Sequence, residues 1–549
     1  MKQRPMDGDP SADRADWHAT RARQADASGY VERDGVRVFW ETFGSGEPAV
    51  LILPTWSVLH AAHGRFQIAD LARDHRVITF DGRGNGRSDR PPGAEAYSDA
   101  EFVADAVAVL DATGTDGAVV VACSQATHWL LRLAAEHPTR VQGAVFSGTN
   151  LPLAPKDGDD SDSVPFDEPY RSTDGWAKWN AAYWRDHYEE FLRFFFSKVW
   201  TEPHSLSVIE DCVAWGLDTT PDTLIATVAG PGMDGAAEAL ELAARVTCPV
   251  LVIHGQDDAL TPVERSVRLA ESTGGQLVVL EGAGHCSGNR DPVAFDLLVR
   301  EFLESMAGSA PTTVRWRRAI DRPRRVLVVP RAGDPDRLRR DLAITRALRV
   351  RMPDVVIEWL VEERLETSLT AHDEMVHPSS RNLLSELRPT LLAGGEGRSY
   401  AAHRRHDEVG FANFMVFADV VTREPFDLVI ADSAWHVDHY LHQNPELKRF
   451  AFAWLSDEVG FAPTVDESER DAVHRADANA EMIELVERYP RIRDLALFVG
   501  GSRALPGESF GPGLPSIREW TSRHFELAAD DPAAPAEATR IAELISRLI

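Results

Sequence analysis

Ala118-Val119-Val120-Val121-Ala122-Cys123-Ser124-Gln125-Ala126 sets an apolar run before a serine that stands between small residues and opens a helix-like segment. A strand that turns directly into a helix forces its apex residue into a strained backbone, and bulky side chains two positions to either side would collide. Ala122 and Ala126 meet that demand where glycines are usual. The layout is that of a nucleophile elbow with Ser124 at the apex. An ordinary βα turn with an exposed serine has the same five residues, so the motif gains meaning only from the segments nearer the carboxyl terminus.

Downstream, the apolar run Pro249-Val250-Leu251-Val252-Ile253 leads into His254-Gly255-Gln256-Asp257-Asp258-Ala259-Leu260-Thr261-Pro262. A second run, Gln276-Leu277-Val278-Val279-Leu280, leads into Glu281-Gly282-Ala283-Gly284-His285. Serine, aspartate and histidine thus follow in chain order, each just past the carboxyl end of an expected strand. In this order the sequence resembles the α/β-hydrolase fold family from about Gly29 to Met306. The resemblance implies a catalytic Ser124, Asp258 and His285. The family's acid stands three residues after the glycine and four before the proline, which selects Asp258 over Asp257. A neutral serine hydroxyl is a poor nucleophile, so His285 would take its proton and later return one, while Asp258 orients the imidazole.

Two upstream segments fit the same family. Asp81-Gly82-Arg83-Gly84-Asn85-Gly86-Arg87-Ser88-Asp89-Arg90-Pro91 resembles its glycine-rich turn, an architectural element. In Ala49-Val50-Leu51-Ile52-Leu53-Pro54-Thr55-Trp56-Ser57, Pro54-Thr55 stands where the family commonly carries a His-Gly pair. Alignment on the strand end implies the backbone N–H groups of Gln125 and Trp56 as oxyanion donors. Serine at the elbow implies an acyl-serine intermediate, unlike the haloalkane dehalogenases and epoxide hydrolases of this fold, which use aspartate. Cys123 and Cys286, beside Ser124 and His285, read as buried, inert thiols.

The chain has 549 residues, too many for one core, and its 44% hydrophobic content is that of globular domains. A net charge of −28 argues against nucleic acid or an anionic membrane as the main partner. Four cysteines without zinc-ligand spacing imply no metal, and no organic cofactor is implied; a reducing cytoplasm is the expected location. No apolar stretch is long enough to span a bilayer. Residues 1–28 are polar and charged, and read as a flexible N-terminal tail.

The hydrolase-like domain is expected over 29–306, with a helical cap at about 151–240. Aromatics crowd that insertion at helical spacing, and Trp176, Trp179, Trp184 and Phe195 are the candidates to line a substrate pocket. Most of the aromatics are expected to pack on one another. A linker at 307–323 comes next, with a basic cluster, Arg315, Arg317, Arg318, Arg322, Arg324 and Arg325, read as a solvated surface or a dock on the chain's own acidic face.

From Val326 a second α/β pattern begins, suggesting a Rossmann-like sheet over 324–549. Asp341-Leu342-Ala343-Ile344, Asn413 to Asp419, Asp432-Ser433-Ala434-Trp435-His436-Val437-Asp438 and Ser509 to Pro515 resemble the N-terminal, acceptor-side half of bacterial GT-B glycosyltransferases. That region departs from the family at Pro330-Arg331-Ala332-Gly333-Asp334-Pro335-Asp336, where a glycine-rich loop with a histidine is usual. A second nucleotide-sugar domain would have to come from a protein partner, so a degenerate or scaffolding role is expected. Asp432, Trp435, His436 and Asp438 stand just past a strand end, where α/β sheets often bind ligands.

The reading is a cytoplasmic serine hydrolase that cleaves an ester, thioester or lactone of a small apolar metabolite, fused to a truncated glycosyltransferase-like domain. The alternative is a sugar-acceptor or regulatory binding protein with an inactive hydrolase domain, and a weaker one is a carbon–carbon bond hydrolase. Oligomeric state is not legible.

Overall fold

The computed structural model describes residues 21–155, 165–306, 322–331, 335–385, 407–457, 460–461, 467–499, 509–516, 520, 525–527 and 534–549. The chain divides into two compact units, Arg23–Thr312, and Thr313–Ile549 together with Met1–Ala22. The linker expected at 307–323 lies almost wholly outside the described residues, as does the tail up to residue 20.

The first unit is built on eight strands: β1 (Ala27–Arg33), β2 (Val36–Phe43), β3 (Val50–Ile52), β4 (Val77–Phe80), β5 (Ala118–Cys123), β6 (Val141–Ser147), β7 (Val250–Gly255) and β8 (Gln276–Leu280). Their order in the sheet is β1-β2-β4-β3-β5-β6-β7-β8. β1, β2 and β4 pair antiparallel, and the remaining pairs are parallel. Alternate residues of β5 face opposite layers. Val120 and Ala122 join the core beneath helices Asp99–Ala112 and Ala126–Glu136, while Val119 and Val121 join Phe295, Val299 and Phe302 of helix Pro292–Met306. Burial on both faces explains why the strand reads as an unbroken apolar run. β1 starts at Ala27, which pairs with Thr42, so the first strand takes in the last two residues of the expected tail.

Between β6 and β7 lie helices Ala181–Asp186, Tyr188–Val199, Leu206–Gly216, Pro221–Val228 and Ala236–Ala243. The glycine-rich turn after β4 props the loop after β3. Asp81 accepts the N–H groups of Ala61 (3.0 Å) and Arg87 (2.8 Å). Gly86 has φ +57°, and a Cβ there would lie 2.4 Å from Asp81 Oδ2, so only glycine fits. Ser57 Oγ donates to the Arg83 carbonyl (2.8 Å), and Asn85 Nδ2 donates to the Ser57 carbonyl (3.0 Å).

Among the described residues, the second unit has seven parallel strands: β9 (Arg325–Pro330), β10 (Val356–Trp359), β11 (Met375–Val376), β12 (Leu428–Asp432), β13 (Ala451–Ser456), β14 (Leu495–Val499) and β15 (Phe525–Leu527). Their order is β11-β10-β9-β12-β13-β14-β15. The chain therefore starts inside the sheet, winds to one edge, then returns past β9 and builds to the other. Helices Pro335–Arg351 and Pro535–Ser546 contribute Leu342, Leu348, Ile541 and Ile545 to one core with Val326, Ile357 and Leu428.

Of the basic cluster, expected at a solvated surface or docked on the chain's own acidic face, Arg322 and Arg325 dock on acidic side chains and Arg324 is exposed. Arg322 donates to both oxygens of Asp427 (2.9 and 2.6 Å), and Arg325 donates to Glu358 (2.9 Å) and Glu424 (2.6 Å). Arg315, Arg317 and Arg318 lie outside the described residues. Asp438 is buried in a two-bond pair with Arg493 (2.7 and 2.6 Å), and Asp432 is bonded to Arg340. Trp435 packs on Trp454 at 5.3 Å. Asp432, Asp438 and Trp435 therefore hold the packing at the carboxyl end of β12.

Candidate active site

Ser124 sits between the end of β5 and the start of helix Ala126–Glu136 with φ +58°, the left-handed region that a non-glycine residue seldom occupies. Its N–H donates to the Ser147 carbonyl (2.9 Å), and Thr127 Oγ1 donates to its carbonyl (2.6 Å), which fixes the strained turn from both sides. Ala122 and Ala126 are fully buried beside it, so larger side chains have no room.

Asp258 follows β7, and the structure separates it from its neighbour. Asp257 is exposed; its N–H donates to the Ala283 carbonyl (2.9 Å) and its carbonyl accepts Thr201 Oγ1 (3.1 Å). Asp258 instead receives His285 Nδ1 at 2.7 Å on Oδ2, with Thr261 Oγ1 on the same oxygen at 2.8 Å. Its Oδ1 accepts the N–H groups of Leu260 (2.8 Å) and Thr261 (2.9 Å). Burial alone would raise this carboxyl, but the charge and hydrogen bond of His285 and the Thr261 N–H outweigh it and hold Asp258 well below the usual carboxylate range.

His285 Nε2 lies 2.8 Å from Ser124 Oγ. Serine, histidine and aspartate are thus joined in one hydrogen-bonded line, with His285 only 2% exposed. Gly148, at the end of β6 with φ +53°, makes room for the ring: a Cβ there would lie 2.4 Å from the His285 carbonyl oxygen and 3.1 Å from Nδ1. The end of helix Tyr188–Val199 holds the histidine loop from the other side. His285 N–H donates to the Val199 carbonyl (3.0 Å), and Gly284 N–H to Glu202 Oε1 (2.6 Å).

Thr55 donates its hydroxyl to the Cys123 carbonyl (2.9 Å), tying the loop after β3 to the elbow. The Gln125 and Trp56 N–H groups donate no backbone hydrogen bond among the described residues. The Trp56 side chain reaches the helical insertion, with Nε1 on Thr227 Oγ1 (2.7 Å) and ring centroids 5.4 Å from Trp179, 5.3 Å from Phe195 and 6.0 Å from Trp184. Trp184 is wholly buried against Phe191, at 4.3 Å, and leaves no surface for a substrate. Trp176, Trp179 and Phe195 are half-buried and retain exposed surface. Spacing had missed Thr201, Glu202 and Thr261, which no motif marks.

Residues 48–288 match the family model described as the alpha/beta hydrolase fold. This part of the chain carries the alpha/beta hydrolase fold. It is 27% identical over 279 residues to the non-heme chloroperoxidase CPO-A1 of Kitasatospora aureofaciens, covering 49% of this chain and 97% of that protein. It is 28% identical over 286 residues to the 2-hydroxymuconate semialdehyde hydrolase of Pseudomonas sp. strain CF600, covering 50% of this chain and 93% of that protein. Among solved structures, the esterase RhEst1 of Rhodococcus sp. ECU1013 matches at 26% identity and a TM-score of 0.42, covering 50% of this chain and 98% of its own. Among the described residues, no helix is long and apolar enough to cross a membrane.

Among the described residues, one group of potential metal ligands lies in the second unit, where atoms of Glu358, His377 and Glu424 are within 4.8 Å of one another. The Arg325 guanidinium already bonds both carboxylates and supplies the positive charge there.

Proposed function

We propose that the hydrolase-fold unit is a serine hydrolase that cleaves an ester, thioester or lactone of a small, apolar metabolite through an acyl-serine intermediate. The observation that carries this reading is the line Ser124 Oγ to His285 Nε2 (2.8 Å) and His285 Nδ1 to Asp258 Oδ2 (2.7 Å), built on a serine at φ +58°. His285 accepts the serine proton as Oγ attacks the carbonyl carbon, and returns it to the leaving group; water then repeats the sequence on the acyl-serine. The charged Asp258 stabilises the imidazolium. The oxyanion falls to the N–H groups of Gln125 and Trp56. The half-buried Trp176, Trp179 and Phe195 give an apolar wall suited to a small apolar acyl or alcohol part.

A panel of chromogenic p-nitrophenyl esters, thioesters and γ-lactones tests the substrate class, with turnover expected in the wild type and none in Ser124→Ala. Turnover of diketones alone would move the assignment to carbon–carbon bond hydrolysis. The second unit we read as a Rossmann-like domain resembling the acceptor half of a glycosyltransferase, in a cytoplasmic protein; its strand order, with β9 and β12 adjacent inside the sheet, supports the Rossmann-like part of that reading. Calorimetry of the full chain with an aglycone or a nucleotide-sugar tests it, and an absence of heat with both would leave only a scaffolding role.

A further inference from the structure

Cys123 immediately precedes Ser124, and Cys286 immediately follows His285. Both thiols are free, and their Sγ atoms lie 3.2 Å apart, against about 2.05 Å for a covalent S–S bond. The two also line a small cavity of about 30 Å³, together with His63, Ser147 and Phe295, and neither Ser124 nor His285 is among its lining residues. His63 is 8% exposed and its Nδ1 has no hydrogen-bond partner. Burial, reinforced by the nearby His60, pushes the His63 ring down to about 4, so it is neutral at neutral pH. The cavity thus offers a small polar molecule a hydrogen-bonding group and two thiols at once.

The thiols are not equivalent. The hydrogen bond from Cys286 and the charge of His285 pull Cys123 below the usual thiol range against its burial, whereas its bond to Cys123 and burial push Cys286 well above it. Cys123 is therefore the better source of thiolate and Cys286 the resolving partner.

We infer that this cavity is a redox-modification site at which a hydroperoxide joins Cys123 and Cys286 in a reversible disulfide, and that the bond switches off the Ser124–His285 pair. The Cys123 thiolate attacks the terminal peroxide oxygen, the O–O bond breaks, and the departing alkoxide or hydroxide takes a proton, leaving a sulfenic acid. The Cys286 thiol then attacks that sulfur and gives up its proton as hydroxide departs, so that water leaves. Two thiols lose two electrons and two protons; the hydroperoxide becomes an alcohol, or water when it is hydrogen peroxide, and a second water leaves. Closing the gap draws the residues bonded to Ser124 and His285 together by roughly 1 Å, a displacement that costs about a hundredfold in rate when it falls on reacting groups.

The switch rests on the hydrolase reading, whereas the disulfide does not, and the test separates them. The full chain is treated with hydrogen peroxide, denatured, alkylated without reductant and mapped by mass spectrometry, with ester turnover measured before and after. A Cys123–Cys286 cross-linked peptide is expected, with Cys212 and Cys248 still alkylated, and turnover falling about ten- to a hundredfold and returning with dithiothreitol. Cys286→Ala is expected to give no cross-link, its Cys123 stopping at the sulfenic acid that dimedone traps. Full alkylation of Cys123 and Cys286 after oxidation would overturn the site, and a cross-linked enzyme with unchanged turnover would overturn the switch. An untreated enzyme without turnover would count against the hydrolase reading, and the peptide map would still decide the disulfide.

Discussion

The Thr55 hydroxyl donates to the Cys123 carbonyl at 2.9 Å, so a side chain of the loop after β3 holds the residue that precedes the candidate nucleophile. This bond lies where the family's His-Gly pair would stand, and it ties the loop after β3 to the elbow without that glycine. Thr55→Val keeps the shape and removes the donor. Turnover is expected to fall about tenfold, the size of one lost hydrogen bond, with KM nearly unchanged. A large rise in KM with unchanged kcat would assign Thr55 to substrate binding instead.

Gly148→Ala places a Cβ 2.4 Å from the His285 carbonyl oxygen, at a residue with φ +53°. The histidine must move, and a shift of about 1 Å is expected to cost a hundredfold or more in kcat. Steady-state kinetics beside a thermal melt separate this loss from unfolding.

The two cap tryptophans should respond differently. Trp184 is wholly buried, so Trp184→Ala is expected to destabilise by about 3–5 kcal/mol, read by urea unfolding. Trp179 is half-buried against Trp56, and Trp179→Ala is expected to change KM and the preferred acyl length more than stability. Equal effects of the two on KM would remove the distinction.

Asp258 gives a pH dependence whose sign is fixed. Its folded carboxyl lies below the unfolded value of about 3.9, so the stabilisation is present above that pH and is lost progressively as pH falls below about 4. Asp258→Asn should remove that acid-side slope and lower kcat by about 10⁴, the scale seen when a triad aspartate is replaced. Unfolding midpoints between about pH 2.5 and 6 check the slope.

The sequence made the doubly buried strands legible, because β5, β7, β9 and β12 are flanked on both faces and must be apolar throughout. Ser124 and Asp258 follow two of these strands, whereas His285 follows the edge strand β8, whose partly exposed residues still read as an apolar run. The three-residue β15 is too short to carry a pattern of its own, and its pairing with β14 defines it. Glu202 meets Gly284 across 82 residues and Thr201 meets Asp257 across 56, contacts created by folding that no local pattern announces. Trp184 looked like its neighbours because helical spacing does not distinguish a ring facing the substrate from one facing Phe191.

The most direct test is covalent labelling with a fluorophosphonate probe, followed by peptide mapping. The hydrolase reading requires a single adduct on Ser124 in the wild type, with labelling and ester turnover both abolished in Ser124→Ala. A folded wild-type protein left unlabelled at Ser124, or one that turns over esters equally well as Ser124→Ala, would contradict it.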